Sequence, residues 1–445
     1  MRVHFIAIGG SAMHNLAIAL KIKGFVITGS DDEIFEPSRS RLAKYQLLPE
    51  QIGWNPEVIT SDIDAVILGM HARKDNPELL KAQELKLKIY SYPEFLFQQS
   101  INKKRVVIGG SHGKTTITAM VLHVLAKFNI ETDYMVGAQL DGFEVMVRLT
   151  DTARWMVMEG DEYLTSPIDP RPKFLHYQPH IAVISGIAWD HINVFPDYQD
   201  YLEQFRLFAG SILKGGTLIY FDDDIEVERI ASSYQGRKVA YGVHPHTISG
   251  THTQLLLDDD QMAELQIFGS HNMANLNAAR MVCREMGVDD EQFYGAIGSF
   301  TGASRRLELL TDRNDILIFR DFAHAPSKVR ASVAALREQY SAQRIIACLE
   351  LHTFSSLNEK FIDQYQHTLN KADLAVVFYD PHAVALKRLP ELDHDRIRKA
   401  FGHPKLFVFS DVKKLLAFMK PEVSTNSILL LMSSGSFNGL DTDQL

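Results

Sequence analysis

Lys114 and Thr115 carry the first chemical signal in this chain. They follow a short apolar run, Arg105 to Ile108, and the loop Gly109-Gly110-Ser111-His112-Gly113. A lysine ammonium placed there reaches the β and γ oxygens of a nucleotide, and a threonine hydroxyl can ligate Mg²⁺. Glycines let backbone N–H groups turn toward the anion, and the positive end of the following helix faces it. The strict phosphate-loop pattern asks for one more glycine at the position held by Ile108. The context supplies what the pattern lacks. An apolar strand precedes the loop, and Ile117, Met120, Val121, Val124, Leu125 and Phe128 recur on one helix face after it. Gly110, Ser111, His112, Gly113, Lys114, Thr115 and Thr116 are therefore the candidate nucleotide contacts.

Carboxylates and histidines follow at strand ends. Trp155 to Met158 reads as a strand delivering Glu159, with Asp161 and Glu162 just behind it. A carboxylate there can ligate Mg²⁺ or orient a water; the alternative is a solvated acidic turn. Ile181 to Ser185 leads to Asp190-His191, which suits a second metal ligand with its carboxylate orienter. Asn272 and Asn275, three apart after His271, can offer a carboxamide to a base edge or help cap the helix. Arg305-Arg306 can grip an oxyanion in a bidentate fork or form a surface ion pair with Glu308.

The N-terminus opens with a second turn of the same kind. Val3 to Ile8 is a strand, Gly9-Gly10-Ser11 a turn, and Met13 to Ile22 a helix; Phe25 to Thr28 then runs into Gly29-Ser30-Asp31. This is a βαβ unit with a nucleotide-type glycine turn. Ser11 stands where the dinucleotide fingerprint needs its second glycine, so a NAD dehydrogenase is poorly supported. Asp31 can bind a sugar hydroxyl or cap a turn.

The elements that position these residues are those of an α/β protein. Strands are expected at Ala65–Leu68, Lys88–Tyr90, Leu218–Phe221, Leu265–Phe268, Ile316–Phe319, Arg344–Leu349, Leu374–Phe378, Leu406–Phe409 and Ile428–Met432. Helices are expected at Asn76–Leu85, Pro93–Gln99, Asp200–Ile212, Lys328–Glu338 and Asn358–Leu369. Alternation of this kind implies mostly parallel, doubly wound sheets, with ligands beyond the carboxyl ends of strands. Those ends carry Asp321-Phe322-Ala323-His324-Ala325-Pro326, Glu350-Leu351-His352-Thr353 and Ser433-Ser434-Gly435-Ser436-Phe437.

A chain of 445 residues suggests about three domains. A 46% hydrophobic and 23% charged composition is that of a globular protein. A formal net charge of −9 without a long Lys/Arg block argues against a nucleic-acid binder. The two cysteines, Cys283 and Cys348, read as buried thiols of a reducing compartment. Neither a signal peptide nor an apolar span of membrane length is evident, so a cytoplasmic location without membrane association is expected.

Taken together, these motifs resemble the Mur ligase family, the ATP-dependent amide-forming enzymes of peptidoglycan synthesis. The resemblance runs through Gly110 to Thr116, Glu159 to Glu162, Asp190-His191, His271 to Asn275, Gly302 to Arg306 and Asp321 to Pro326, in the family's order. It implies three domains: a Rossmann-like UDP-sugar domain over 1–101, a central P-loop ATPase domain over 102–302, and a Rossmann-like amino acid or peptide domain over 303–445. Its implied cofactors are ATP and Mg²⁺.

By the same resemblance, Lys114, His191 and His324 are catalytic, and Thr115, Glu159 and His191 hold metal. ATP meets the loop Gly110–Thr116 together with His271, Asn272, Asn275, Arg306 and Asp321. Gly9, Gly10, Ser11, Ser30 and Asp31 face the UDP-sugar. The implied partners are UDP-N-acetylmuramate and an L-alanine-bearing amine, with a monomer or weak homodimer expected. Pro172 to Tyr177, Asp190 to Asp197 and Leu431 to Phe437 look like the members that take the tripeptide L-Ala-γ-D-Glu-meso-diaminopimelate. His352-Thr353-Phe354-Ser355 looks like those that take free L-alanine. Ser185-Gly186 departs from the family's usual Thr-Asn, and Arg320-Asp321 from its usual pair of aspartates.

Overall fold

A computed structural model describes residues 1–140, 142–257, 262–313 and 315–445, with the side chain of Asp443 left aside. The chain divides into two compact units. The first comprises Met1–Ile187, Tyr201–Tyr241 and Ala278–Asp289; the second comprises Ala188–Asp200, Gly242–Asn277 and Asp290–Leu445.

The first unit holds two parallel sheets. Strands β1 (Arg2–Ile6), β2 (Val26–Ser30), β3 (Ala65–Leu68) and β4 (Ile89–Ser91) form a four-stranded sheet in the order β2-β1-β3-β4. Helices α1 (Ser11–Ile22), α2 (Ser38–Lys44), α3 (Pro77–Glu84) and α4 (Tyr92–Gln99) accompany it. Their starts are written locally. Asn76 caps α3 ahead of Pro77, and Ser91 and Glu94 form a reciprocal capping box on α4.

The second sheet has seven strands: β5 (Lys104–Gly109), β6 (Thr132–Met135), β7 (Val147–Arg148), β8 (Trp155–Gly160), β11 (Ile181–Ile184), β12 (Thr217–Phe221) and β13 (Arg237–Tyr241). Their order is β13-β12-β11-β5-β8-β6-β7, parallel except at β7. A hairpin of β9 (Leu164–Ser166) and β10 (Asp169–Pro172) lies between β8 and β11 in sequence. Val106 to Ile108, Met156 to Met158 and Ala182 to Ile184 have no exposed surface. That is why these strands read as continuous apolar runs: both faces are covered. Helices α5 (Lys114–Lys127), α6 (Tyr198–Gly210) and α7 (Ile225–Ser233) follow β5, β11 and β12.

The second unit holds an antiparallel sheet of β14 (His246–Ser249), β15 (His252–Leu256) and β16 (Met262–Leu265). After it come α8 (Ser270–Met286), whose residues from Ala278 onward belong to the first unit, and α9 (Asp290–Ile297). A six-stranded sheet follows, from β17 (Glu308–Arg313), β18 (Ile316–Asp321), β19 (Arg344–Leu351), β20 (Leu374–Tyr379), β21 (Leu406–Phe409) and β22 (Ser427–Met432), in the order β17-β18-β22-β19-β20-β21. Only the β17–β18 pair is antiparallel. Helices α10 (Pro326–Gln339), α11 (Pro381–Leu386), α12 (His394–Phe401) and α13 (Val412–Glu422) connect its strands.

Two expected elements differ. The strand expected at Leu265–Phe268 lies earlier and ends at Leu265, because Phe268 turns into an aromatic cluster with Phe319 and Tyr340. The helix expected at Asn358–Leu369 is reduced to a 3₁₀ turn over Ile362–Tyr365. The Asn358 side chain accepts from the Lys360 N–H, and His367 takes a positive φ of 62°, so α-geometry is interrupted at both ends. Leu357, Phe361, Ile362, Tyr365 and Leu369 keep the helical spacing because they still share one core.

Candidate active site

The phosphate loop leaves β5 at Gly109. Gly110 and Gly113 both have positive φ, 131° and 81°, and Gly113 stands at the N-cap of α5 with no side-chain cap. The first N–H groups of the helix therefore point at a space that an anion can fill. The loop is closed from behind by Ser185, whose hydroxyl donates to the Gly109 and His112 carbonyls. A Cβ at Gly186 would lie 2.3 Å from the His112 ring. The glycine where the family pattern has asparagine thus makes room for the loop histidine.

Lys114 is drawn to the carboxylates of β8 and the turn after it. Its Nζ donates to the Gly110 carbonyl at 2.7 Å and to Glu162 Oε2 at 2.6 Å. Burial pulls its pKa down, but the charges of Glu162, Asp161 and Glu159 outweigh that and leave it raised. Lys114 is a cation throughout the neutral range. Thr115 Oγ1 donates to Glu159 Oε2 at 3.2 Å, and Gly137 is held to a bare backbone because a Cβ there would meet the same oxygen at 2.9 Å. Thr116 is buried in the same turn. A hydroxyl and a carboxylate, both buried and both hard oxygen donors, fit Mg²⁺.

The N-terminal turn is built differently. The Gly9 N–H donates to Asp31 Oδ2 at 2.6 Å, and Ala7 and Ile8 donate to the Ser30 carbonyl. One Asp31 oxygen thus serves the turn itself. Burial raises the Asp31 pKa, opposed by the Gly9 N–H. Gly10 is the N-cap of α1 without a side-chain cap, and Ser11 is exposed at its first turn.

The remaining candidates lie in the second unit. Asp190 accepts from the backbone N–H of His191, which has a positive φ of 56°. The other Asp190 oxygen faces His324 Nε2 at 3.8 Å. Burial pushes the Asp190 pKa up, but His191, Lys328 and His324 outweigh it and hold it low. Burial and the charge of Lys328 hold His324 well below the usual histidine range. His324 Nδ1 is 3.0 Å from the Phe322 carbonyl, which fixes the proton there and leaves the Nε2 lone pair for a base. Asp321 ends β18 and accepts from Ser332. Arg306 stacks on Phe322 at 4.7 Å. Glu308 pairs with Arg320 at 2.9 Å and accepts from the Arg305 N–H. His271, Asn272 and Asn275 start α8; burial keeps His271 low despite Asp321 and Glu338, and Asn272 donates to the Phe268 carbonyl.

Three residues stood out less in the sequence. Glu162 was visible only as an acidic neighbour of Glu159. Tyr201, fully buried on α6, and Lys328, in the first turn of α10, gave no signal, since an aromatic on an amphipathic helix and a lysine on another are commonplace. The Pro172–Tyr177 run has a structural explanation: Phe174 and Tyr177 are fully buried, and Phe174 stacks on Phe208 at 4.5 Å.

A capless helix start behind a glycine loop, with Lys-Thr in front and carboxylates on the adjacent strand, defines a phosphate-loop nucleotide-binding protein. Family models extend this along the chain. They describe residues 2–104 as the Mur ligase family catalytic domain, 108–283 as the Mur ligase middle domain and 305–435 as the Mur ligase glutamate ligase domain. The UDP-N-acetylmuramate–L-alanine ligase of Caldicellulosiruptor bescii is 31% identical over 98% of this chain and 96% of its own. The UDP-N-acetylmuramate–L-alanyl-γ-D-glutamyl-meso-2,6-diaminoheptandioate ligase of Escherichia coli is 28% identical over 99% and 96%. The solved UDP-N-acetylmuramate–alanine ligase of Thermotoga maritima superposes with a TM-score of 0.73 at 21% identity, covering 99% and 97%. The chain belongs to the Mur ligase family and is an ATP-dependent amide ligase. Among the described residues, no helix is long and apolar enough to cross a membrane.

Proposed function

We propose that this ligase joins the lactyl carboxylate of UDP-N-acetylmuramate to the L-alanyl amine of the tripeptide L-Ala-γ-D-Glu-meso-diaminopimelate. The observation that carries the ligase chemistry is Lys114, a cation in the neutral range at an uncapped helix start, backed by Glu162. A carboxylate is a poor electrophile, so ATP's γ-phosphoryl is first transferred to it, giving an acyl phosphate that the amine attacks. Two anions meet in that first step. Lys114 and the N–H groups of α5 offset their charge, and positioning does most of the rest. Thr115 and Glu159, with His191 at a second position, would hold Mg²⁺, which neutralises phosphate charge.

An α-amino group with a pKa of about 8 is already partly neutral at pH 7. His324, whose Nδ1 proton is held on the Phe322 carbonyl so that Nε2 carries a lone pair, is positioned to take the proton released as the amide forms. Asn275 reads the adenine and Asp321 the ribose, while Gly9, Gly10, Ser11, Ser30 and Asp31 receive the sugar nucleotide. We retain the division of labour into residues 1–101, 102–302 and 303–445.

A second reading, free L-alanine as the amine, is favoured by the His352–Ser355 run and by the 31%-identical relative. The two sequence signals touch each other in the second unit. A Cβ at Gly435, inside the peptide-type run, would meet His352 Nδ1 and Glu350 Oε2, each at 2.9 Å. Phosphate release with ATP and UDP-N-acetylmuramate, assayed with the tripeptide and with L-alanine, separates the readings. We expect kcat/KM to favour the tripeptide by about a hundredfold, about 3 kcal/mol of transition-state binding. A preference for L-alanine establishes the second reading, and ATP turnover without the sugar defeats both.

A further inference from the structure

Glu162 and Tyr201 are deeply buried polar groups linked to Lys114 by hydrogen bonds. The Glu162 side chain is 2% exposed, and Tyr201 is fully buried. Tyr201 OH donates to Glu162 Oε1 at 3.2 Å, and Ser111 Oγ lies 2.7 Å from the same hydroxyl. The hydrogen bonds run in one direction. Ser111 donates to Tyr201, Tyr201 donates to one oxygen of Glu162, and Lys114 donates to the other. Ser111 is itself fixed, its N–H donating to the Gly186 carbonyl at 2.9 Å. The chain of contacts therefore begins and ends within the phosphate loop, and it passes through a buried carboxylate.

We propose that Glu162 occupies the electrostatic place of the nucleotide's phosphates in the resting loop, and that Tyr201 holds it when Lys114 turns to the nucleotide. Lys114 carries one positive charge, and Glu162 and the phosphates compete for it. A carboxylate this deeply buried cannot be left bare, so its readiness to give up the lysine depends on its remaining donors. Tyr201 is such a donor. Both residues are positioning residues for Lys114, and they act on nucleotide affinity with opposite signs. The inference rests on the phosphate-loop reading and is independent of which amine is used.

The test is calorimetric titration of ADP into the whole protein, without sugar or amine, once with MgCl₂ and once with EDTA. Glu162→Gln keeps the shape and one of the two acceptor oxygens but removes the competing charge, so ADP should bind about tenfold more tightly in both buffers. Tyr201→Phe removes a donor from Glu162, strengthens its hold on Lys114 and should weaken ADP a few-fold. In the Glu162→Gln background Tyr201→Phe should change ADP affinity by less than about twofold. A merely structural role would weaken binding in every variant, and that result overturns the proposal. Weakening by Glu162→Gln in MgCl₂ but not in EDTA also overturns it, since it makes Glu162 a metal ligand. If the unaltered protein binds no ADP, the nucleotide reading itself fails, which is a different result from a wrong sign in the variants.

Discussion

Two turns of the first unit look alike in the sequence and are built on different physics. Both run from a parallel strand through paired glycines into a helix without a side-chain cap. In the phosphate loop the glycines are required: Gly110 and Gly113 hold positive φ, and a Cβ at Gly110 would sit 2.2 Å from Ser185 Oγ. In the N-terminal turn neither Gly9 nor Gly10 has positive φ; the left-handed residue is Ala7, at 69°. The phosphate loop brings its own cation and places carboxylates behind it. The N-terminal turn has instead an aspartate, Asp31, folded back on its own backbone. The first arrangement can stabilise developing charge, and the second can only hold a ligand. A glycine turn before a helix marks an anion site, and the charges around it decide whether chemistry follows.

The largest expected effect comes from removing that charge. Lys114→Ala should lower kcat by about a thousandfold or more, read as phosphate release at saturating substrates. It should also cost stability, because Glu162 loses its counter-charge; breaking a well-buried pair costs about 3 kcal/mol, and the partial exposure of Lys114 makes that an upper figure. Adding Glu162→Gln should restore the melting temperature and leave turnover lost. If stability is not regained, Glu162 is not the group that Lys114 neutralises.

Next comes backbone geometry. Gly110→Ala forces a side chain into Ser185 at a φ of 131°, so nucleotide binding should fall by at least a hundredfold. At Gly9 a Cβ meets Asp31 Oδ2 and an Ile34 methylene at 2.9 Å. Gly9→Ala should therefore raise KM for UDP-N-acetylmuramate several-fold with ATP affinity untouched. Equal effects of the two substitutions on ATP would erase the contrast between the turns.

The contrast also marks what the sequence could reveal. Strand, loop and helix around Lys114 were legible because a fully covered parallel strand is a continuous apolar run and an amphipathic helix repeats on one face. The order of the motifs did the same for the family. Tyr201 was not legible. Its hydroxyl meets Ser111 and Glu162 only through tertiary packing, and nothing in the spacing of α6 records it. The three-stranded sheet of β14 to β16 escaped because its strands are short and half-exposed, without a strong apolar pattern. The Pro172–Tyr177 run carries two signals at once: it looks like the tripeptide-using members, and two of its residues, Phe174 and Tyr177, are also fully buried, with Phe174 stacked on Phe208.

Acidification should act on the N-terminal turn rather than the phosphate loop. His14 on α1 is buried, and burial, opposed by the Gly10 carbonyl, keeps its pKa below the ordinary value of 6.5. A group whose folded pKa is lower binds fewer protons folded than unfolded. Stability is then complete above pH 6.5 and declines as the pH falls below it. Lys114, raised in pKa, keeps its charge throughout that window. Melting temperature should fall between pH 7 and pH 5, and His14→Asn should flatten the slope. An unchanged slope would assign the loss to other histidines, such as the buried His176 and the half-buried His180, whose values burial also lowers.

The smallest effect is expected at Gly10, and it tests the comparison most directly. Gly9-Gly10 reads in the sequence as the counterpart of Gly109-Gly110. Yet at Gly10 an added Cβ finds its nearest neighbours, Met13 Cγ and the Ala7 carbonyl, at 3.4 and 3.6 Å, which is ordinary contact, and its φ of −55° suits any L-residue. If the turn needs glycine only where the Asp31 carboxylate approaches, Gly10→Ala should leave KM for UDP-N-acetylmuramate within about twofold and the melting temperature unchanged or slightly higher, since alanine reduces the freedom of the unfolded chain. A large rise in KM would mean that the sugar nucleotide itself approaches the Gly10 backbone as closely as an added methyl. The second glycine would then be kept for the ligand rather than for the fold, and the N-terminal turn would resemble the phosphate loop more closely than its charges suggest.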